Sequence, residues 1–215
     1  MPARTASVPA LAVAVLLTVL ASPLLAAEPE EAEPKPELKD EIRFRSPDGK
    51  YGLRITYDRA LNDLMTGKNP ESNDGIFSET MSKIAIVSVP EGEVMHDMSD
   101  DVFSGGNHFD GLKLLWSADS KWCAFYFAFP RVGYTSVFHL AGDKFKLAHK
   151  PNGLNMPSKG SVRYERIEPV RWVKPGELEL SLERIYRGED PDDDSAGFTA
   201  SFDGKGKWKM LKKAP

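Results

Sequence analysis

Alternation of apolar and polar residues dominates the chain and limits it to a mostly β fold. Residues 177–183 read ELELSLE, and similar patterns occur in KIAIVSV (83–89), TSVFHL (135–140) and FTASF (198–202). Strict period-two alternation is typical of half-buried strands. Several of these runs end at turn-forming Gly-Asp or Asp-Gly pairs, which favour tight hairpins. The best helix candidate is DRALNDLMT (58–66), with Asp58 as its cap and Gly67 as its end.

Three segments of the chain repeat one strand–turn–strand pattern. They are FRSPDGK (44–50), LWSADSK (115–121) and RWVKPGE (171–177), and a longer apolar strand follows each. In the first segment Pro47 fixes φ at the first corner position of the turn. Asp48 is a residue type that tolerates the second corner position, and Gly49 allows the chain to leave the turn. The spacing of further strand patterns after each segment predicts roughly four strands per unit.

These segments resemble the repeat of WD40-like, TolB-type β-propellers, whose blades begin with a W-S-P-D-G-K strand–turn–strand. The first copy lacks the tryptophan, the second keeps Trp116, and the third keeps Trp172 with a shifted Pro175-Gly176. The resemblance implies an all-β, propeller-like stack of about three four-stranded antiparallel units. Closed propellers have about four to eight blades, so an incomplete propeller, a ring closed by an oligomer and a sandwich all remain open. Such repeats imply no particular activity.

The N-terminus has the layout of a secretory signal peptide. Arg4 precedes an apolar run from Val8 to Leu20, and the small residues Ala26 and Ala27 follow. The run is interrupted by proline and is shorter than the ~20 residues of a spanning helix, although a retained anchor is the alternative. We therefore expect residues 1–27 to be removed and the mature protein to be periplasmic or secreted, without a membrane span.

The next segment, 28–40, is predicted to be an acidic, proline-rich linker. It reads EPEEAEPKPELKD, which offers too little apolar surface to offset its ordering entropy. Residues 41–215 are then expected to form a single β-repeat domain, long enough for a hydrophobic core.

Charge and cysteine content narrow the function classes. The formal net charge is -4, which gives no general reason to expect a nucleic acid partner. The single cysteine, Cys123, excludes an intramolecular disulfide and a multi-cysteine zinc site. Its apolar surroundings, WCAFYFAF, favour a buried and inert thiol. No nucleotide-binding, hydrolase-elbow or metalloprotease motif is present in the sequence, and no cofactor is predicted.

The segment from His96 to Asp110 is the first candidate for chemistry. It contains His96, Asp97, Asp100, His108 and Asp110 within fifteen residues. Such groups can ligate a metal or act as an acid–base pair. No fixed ligand spacing is present, so a solvated loop is the favoured interpretation.

A second candidate is the acidic run DPDDDSAG (190–197). Asp190, Asp192 and Asp194 alternate as in an EF-hand calcium loop. The pattern then fails, because Ser195 replaces the glycine and Ser201 replaces the final glutamate. An acidic loop joining two strands is the favoured interpretation, with a different calcium site as the alternative.

The third candidate is surface recognition. Arg131 and Tyr134 lie in a short segment next to the strongly aromatic strand, and both residue types are common at binding hot spots. Lysines alternate with Trp208 and Met210 in the stretch 205–213, which is typical of an edge strand protected from pairing.

Two functions follow from these features. The first is an exported, noncatalytic binding or scaffold module for a protein or glycan of the cell envelope, using Arg131, Tyr134, His96 or His108, with an oligomer possible. The alternative is a hydrolase that uses His96 or His108 together with one of the nearby aspartates.

Overall fold

The computed structural model describes residues 35–68, 76–100, 111–149, 154, 156–188 and 194–213. The predicted signal peptide, 1–27, lies outside these residues. The described chain is mostly β. Helix α1 spans Arg59–Lys68, and a 3-10 turn spans Ser78–Thr80. The strands are β1 (Leu38–Arg43), β2 (Tyr51–Asp58), β3 (Met81–Ser88), β4 (Val94–Asp97), β5 (Gly111–Trp116), β6 (Trp122–Phe129), β7 (Val132–Ala141), β8 (Lys144–Leu147), β9 (Val162–Lys174), β10 (Glu177–Tyr186), β11 (Asp194–Phe202) and β12 (Trp208–Lys213).

The strands pair antiparallel in chain order within three groups. Strands β1 to β4 form a four-stranded sheet, and β5 to β12 form an eight-stranded sheet. The larger sheet consists of two four-stranded meanders, β5–β8 and β9–β12, which are joined where β7 pairs with β9 in parallel at Val132↔Glu165 and Gly133↔Arg166. Neither sheet closes on itself within the described ranges. None of the helices described is long and apolar enough to cross a membrane.

Strand β6 lies between two hydrophobic cores. Successive side chains of a strand point to opposite faces, so Cys123 and Phe125 enter a first core formed by residues of β2 to β8. Trp122 and Ala124 enter a second core, which includes residues of β7, β9, β10 and β11. The predicted burial of this aromatic strand is confirmed. Burial also raises the pKa of the Cys123 thiol well above its usual value.

The third meander is apolar on one face and polar on the other. Leu178, Leu180 and Leu182 of β10 are buried in the second core, as the alternation predicts. On the opposite face Glu179 forms an ion pair with Arg171 of β9, in which Arg171 Nε lies 2.7 Å from Glu179 Oε2. This charged face is compatible with water and does not require a further sheet to cover it.

Two local predictions can be compared directly with the structure. Helix α1 begins after Asp58, whose Oδ1 accepts the Leu61 backbone N–H at 3.3 Å, as expected for a cap. The linker prediction ends too late, because β1 already starts at Leu38. The reason is tertiary: Leu38 pairs with Asp58, and Asp40 accepts a 2.6 Å hydrogen bond from the Thr56 hydroxyl.

Candidate functional site

The first repeated turn is built around the side chain of Asp48. Its Oδ1 accepts the Ser46 hydroxyl at 2.7 Å and the Lys50 N–H at 3.0 Å. The Ser46 hydroxyl in turn accepts the Tyr51 N–H at 3.0 Å. Partial burial opposes ionisation of Asp48, but the hydrogen bonds of Ser46, Lys50 and Ser120 hold its pKa below the usual value. The turn is therefore closed by side-chain hydrogen bonds that need the hydroxyl of Ser46 and the carboxylate of Asp48.

The second repeated turn has the same hydrogen bonds. Asp119 Oδ1 accepts the Ser117 hydroxyl at 2.6 Å and the Lys121 N–H at 3.1 Å, and the Ser117 hydroxyl accepts the Trp122 N–H at 3.0 Å. The two turns also touch, since the Asp48 N–H donates to the Ser120 hydroxyl at 3.1 Å. The first two repeated segments therefore form turns with the same hydrogen-bond geometry.

The positive-φ position recurs in all three segments. Gly49 and Gly176 both have φ of 75°, and the equivalent Ser120 has φ of 59°. Glycine adopts this conformation without a steric penalty, whereas serine does not. The hydrogen bond from Asp48 to Ser120 gives the serine a role that glycine lacks.

Tryptophan links each meander to the preceding one. The Trp116 indole N–H donates to the Phe44 carbonyl at 2.6 Å, and the Trp172 indole donates to the Leu115 carbonyl at 3.0 Å. Phe44 and Leu115 occupy equivalent positions in their repeats. The first repeat has Arg45 where the others have tryptophan. The repeated segments therefore serve as tertiary links as well as turns.

Arg131 and Tyr134 lie together on the hairpin that joins β6 to β7. Both are exposed, and Tyr134 is 43% accessible. The Tyr134 ring packs at 5.9 Å from the ring of Phe127, which lies in the first core. The Arg131 carbonyl accepts the Glu165 N–H at 3.1 Å. The hairpin thus presents an arginine and a tyrosine from a fixed backbone.

Gly133 supports this hairpin by allowing close packing of Tyr126. A Cβ at Gly133 would lie 2.9 Å from two ring carbons of the buried Tyr126. We expect Gly133→Ala to lower the free energy of unfolding by about 1–3 kcal/mol, the usual range for overpacking. Urea denaturation followed by circular dichroism measures the change. Gly111→Ala is the control, because its Cβ would meet nothing within 4 Å; equal effects of the two substitutions would contradict the packing argument.

His96 is half-buried in β4, where it contacts residues of neighbouring strands. Its Nδ1 lies 3.0 Å from the Phe145 carbonyl, and its ring lies 4.7 Å from the ring of Phe138. Asp97 points to the opposite face of the strand. Side-chain and backbone hydrogen bonds from Ser99 lower the pKa of Asp97. The structure therefore does not place His96 and Asp97 in one acid–base pair.

Most other predicted groups of this segment and of the acidic run fall outside the described residues. These are His108, Asp110, Asp190 and Asp192. Asp194 begins β11 and pairs with Arg184 along the backbone. Within the described ranges no group of three or more His, Cys, Asp or Glu side chains is placed to hold a metal ion. Strand β12 lies at the end of its sheet, in agreement with the predicted edge strand.

His139 occupies an environment that the sequence did not indicate. Its ring packs at 4.2 Å from the ring of Trp122, and its buried Nδ1 has no hydrogen-bond partner among the described residues. Burial lowers the pKa of His139, Lys121 acts in the same direction, and Asp119 opposes them. A lone histidine in an alternating strand carries no sequence signal for such an environment.

We expect the depressed His139 pKa to make stability depend on pH. The folded-state pKa lies below the ordinary value of 6.5, so the unfolded chain binds the proton more readily as the pH falls. The contribution of neutral His139 to the free energy of unfolding is complete above pH 6.5, and it is lost as the pH falls through the folded-state pKa. Thermal unfolding between about pH 7 and pH 5 measures it. His139→Phe, which keeps a ring against Trp122, should reduce the slope; an unchanged slope would contradict the assignment.

Arg184 is a second buried group, and the alternation of β10 places it on the same face as Leu182. It is 2% exposed in β10. Its guanidinium donates to Glu165, to the Met156 carbonyl at 3.1 Å, to the Pro157 carbonyl at 2.9 Å and to the Tyr186 hydroxyl at 3.5 Å. Arg184 therefore fastens the chain at residues 156–157 to the third meander. We call residues 156–159 the strap.

No known protein family matches the chain, and neither a curated protein nor a solved structure matches it. The functional proposal therefore depends on the residues and contacts described above.

Proposed function

We propose that this chain is an exported, noncatalytic binding or scaffold module that acts on a protein or glycan of the cell envelope. The observation that carries the proposal is the β6–β7 hairpin, on which Arg131 and Tyr134 are exposed beside a strand buried on both faces. Export is proposed from the signal-peptide pattern of residues 1–27, which places the mature protein in the periplasm or outside the cell.

The contacts between the three meanders support this proposal. The indoles of Trp116 and Trp172 make the same type of hydrogen bond to the meander before them. The middle meander has a hydrophobic core on each face, whereas the outer face of the third carries ion pairs. Terminal repeats with a polar outer face make a stack soluble without closure. We therefore propose an incomplete, propeller-like scaffold with polar ends.

The hairpin has the properties of a recognition element on such a scaffold. Tyrosine and arginine contribute much of the binding energy at many interfaces. Tyr134 is held by its contact with Phe127, and the backbone at Arg131 is held by Glu165. A side chain that is ordered before binding loses less conformational entropy on association. These contacts favour recognition by a preformed surface.

Crosslinked affinity capture tests the proposal. The bait is the chain from residue 28 to residue 215, incubated with a cell-envelope extract and analysed by mass spectrometry and glycan profiling. One reproducible protein or glycan is expected, and its capture should be lost with Arg131→Ala/Tyr134→Ala. The matched control is Arg187→Ala/Val173→Ala, which removes an exposed arginine and an exposed apolar residue elsewhere. If both double variants reduce capture equally, or if neither reduces it, the assignment of the hairpin as the binding site is overturned.

A further inference from the structure

Tyr126 of β6 is buried, yet its hydroxyl has no hydrogen-bond partner among the described residues. The side chain is 6% exposed and belongs to neither hydrophobic core. Its ring is held against Gly133, where a Cβ would lie 2.9 Å from two ring carbons. Polar atoms of buried side chains nearly always have a hydrogen-bond partner. The hydroxyl of Tyr126 is therefore a candidate contact for a ligand.

Tyr126 lies on a polar face that extends across five strands. Directly paired residues of neighbouring strands point to the same side of a sheet. Lys113 of β5 pairs with Tyr126. Gly133 of β7, against which the Tyr126 ring packs, pairs with Arg166 of β9, and Arg166 pairs with Glu183 of β10. We call the side of the sheet that carries Lys113, Tyr126, Arg166 and Glu183 the polar face.

Contacts between strands order the charged groups of the polar face. Lys113 Nζ lies 2.6 Å from Glu168 Oε1, which links β5 to β9. The Tyr164 hydroxyl donates to Glu183 Oε2 at 3.3 Å, and the Arg166 guanidinium lies 5.1 Å from the centroid of the Tyr164 ring. Glu183 is exposed, and the side chain of Glu168 is 42% exposed. Both carboxylates are therefore accessible to a ligand as well as held in place.

These charged groups lie close enough to the Tyr126 hydroxyl to affect its ionisation. Burial raises the pKa of Tyr126 to about 12, Arg166 opposes this, and Glu168, Tyr164 and Glu183 add to it. The hydroxyl therefore keeps its proton at neutral pH and can donate a hydrogen bond, whereas the two carboxylates accept hydrogen bonds. One donor beside two acceptors suits a ligand with neighbouring hydroxyl groups, because each hydroxyl both donates and accepts.

From this arrangement we propose that the polar face binds a neutral saccharide, with one sugar hydroxyl accepting from Tyr126 and others donating to Glu168 and Glu183. A neutral ligand is favoured over an ion because the face carries charges of both signs. Groups that are ordered before binding lose less conformational entropy on association. Tyr134 pairs with Phe127 and so lies on the opposite side of the sheet from Tyr126. The site is therefore separate from the exposed tyrosine of the β6–β7 hairpin and does not depend on the function proposed for that hairpin.

NMR titration of the chain 28–215 with methyl α-D-glucopyranoside, methyl α-D-mannopyranoside and methyl β-D-galactopyranoside tests the site. Saturable shifts of amide signals in β6, β9 and β10 are expected with at least one of these sugars. Tetrahydropyran-2-methanol, which lacks the neighbouring ring hydroxyls, should not bind saturably. Tyr126→Phe should weaken sugar binding about twofold to tenfold, as for the loss of one hydrogen bond. The same substitution should leave the urea denaturation midpoint unchanged, because the hydroxyl has no partner among the described residues.

Matched variants test whether the sugar binds on the polar face. Tyr134→Phe removes a hydroxyl from the opposite side of the sheet and should leave sugar binding intact. Glu183→Gln should weaken binding, whereas Glu179→Gln, on the same side of β10 but beside Arg171, should not.

Three results would overturn the inference. The first is the absence of saturable binding of all three sugars by the unmodified chain, or equal binding of tetrahydropyran-2-methanol. The second is an unchanged sugar affinity of Tyr126→Phe. The third is a lower denaturation midpoint of Tyr126→Phe, since the fold itself would then need the hydroxyl that we assign to the ligand.

Discussion

Replacing Arg184 with alanine is expected to lower the free energy of unfolding by about 3–5 kcal/mol, the cost of removing one partner of a buried ion pair. The substitution leaves the 25% exposed Glu165 carboxylate without its partner guanidinium. It also removes the donors to the carbonyls of Met156 and Pro157, which anchor the strap. Urea denaturation followed by tryptophan fluorescence measures the loss as a lower midpoint at an unchanged slope.

Two other arginine variants make this result specific. Arg184→Lys keeps the positive charge but lacks the planar set of five donors, so an intermediate loss is expected. Arg171→Ala removes an exposed guanidinium that pairs with Glu179, and exposed pairs contribute only about 0–1 kcal/mol. If Arg184→Ala costs no more than Arg171→Ala, the buried contacts of Arg184 do not stabilise the fold as inferred.

A loss of similar size is expected for Phe125→Ala. Phe125 is 1% exposed in the first core, where its ring packs at 5.7 Å from the ring of Phe127. Removing a buried aromatic ring costs about 3–5 kcal/mol, because the transfer free energy is lost and a cavity remains. Natural domains have a total stability of about 5–15 kcal/mol. The same denaturation experiment should therefore show a large shift in the midpoint.

The position of Phe125 in the strand provides the control. Phe129→Ala removes the same ring at the half-buried end of β6, where a smaller loss is expected. Phe125→Leu keeps most of the apolar volume, so its cost should be clearly below that of alanine. Equal losses for Phe125→Ala and Phe129→Ala would show that the first core is not closed around Phe125.

The local repeat patterns predicted strands, turns and buried faces because these depend on neighbours in the sequence. Alternation predicted that Leu178, Leu180 and Leu182 share one face, and all three are buried. The continuous apolar run predicted that Cys123 is enclosed, and its thiol is buried. Arg131 and Tyr134 follow the aromatic strand in the sequence, and only the structure shows that both are exposed on the hairpin.

Sequence alone therefore determined the period of the strands and the positions of the turns, since each is a local consequence of backbone geometry and side-chain alternation. Only the tertiary structure decided which distant groups meet. Trp116 donates to a carbonyl 72 residues away. Arg184 shares the face of Leu182 in the alternation of β10, but its charge is stable there only because Glu165 and the carbonyls of Met156 and Pro157 accept its N–H groups. His96 lies against Phe138 and the Phe145 carbonyl for the same reason. A buried polar group is stable only where partners satisfy it, and those partners are brought together by the packing of whole sheets.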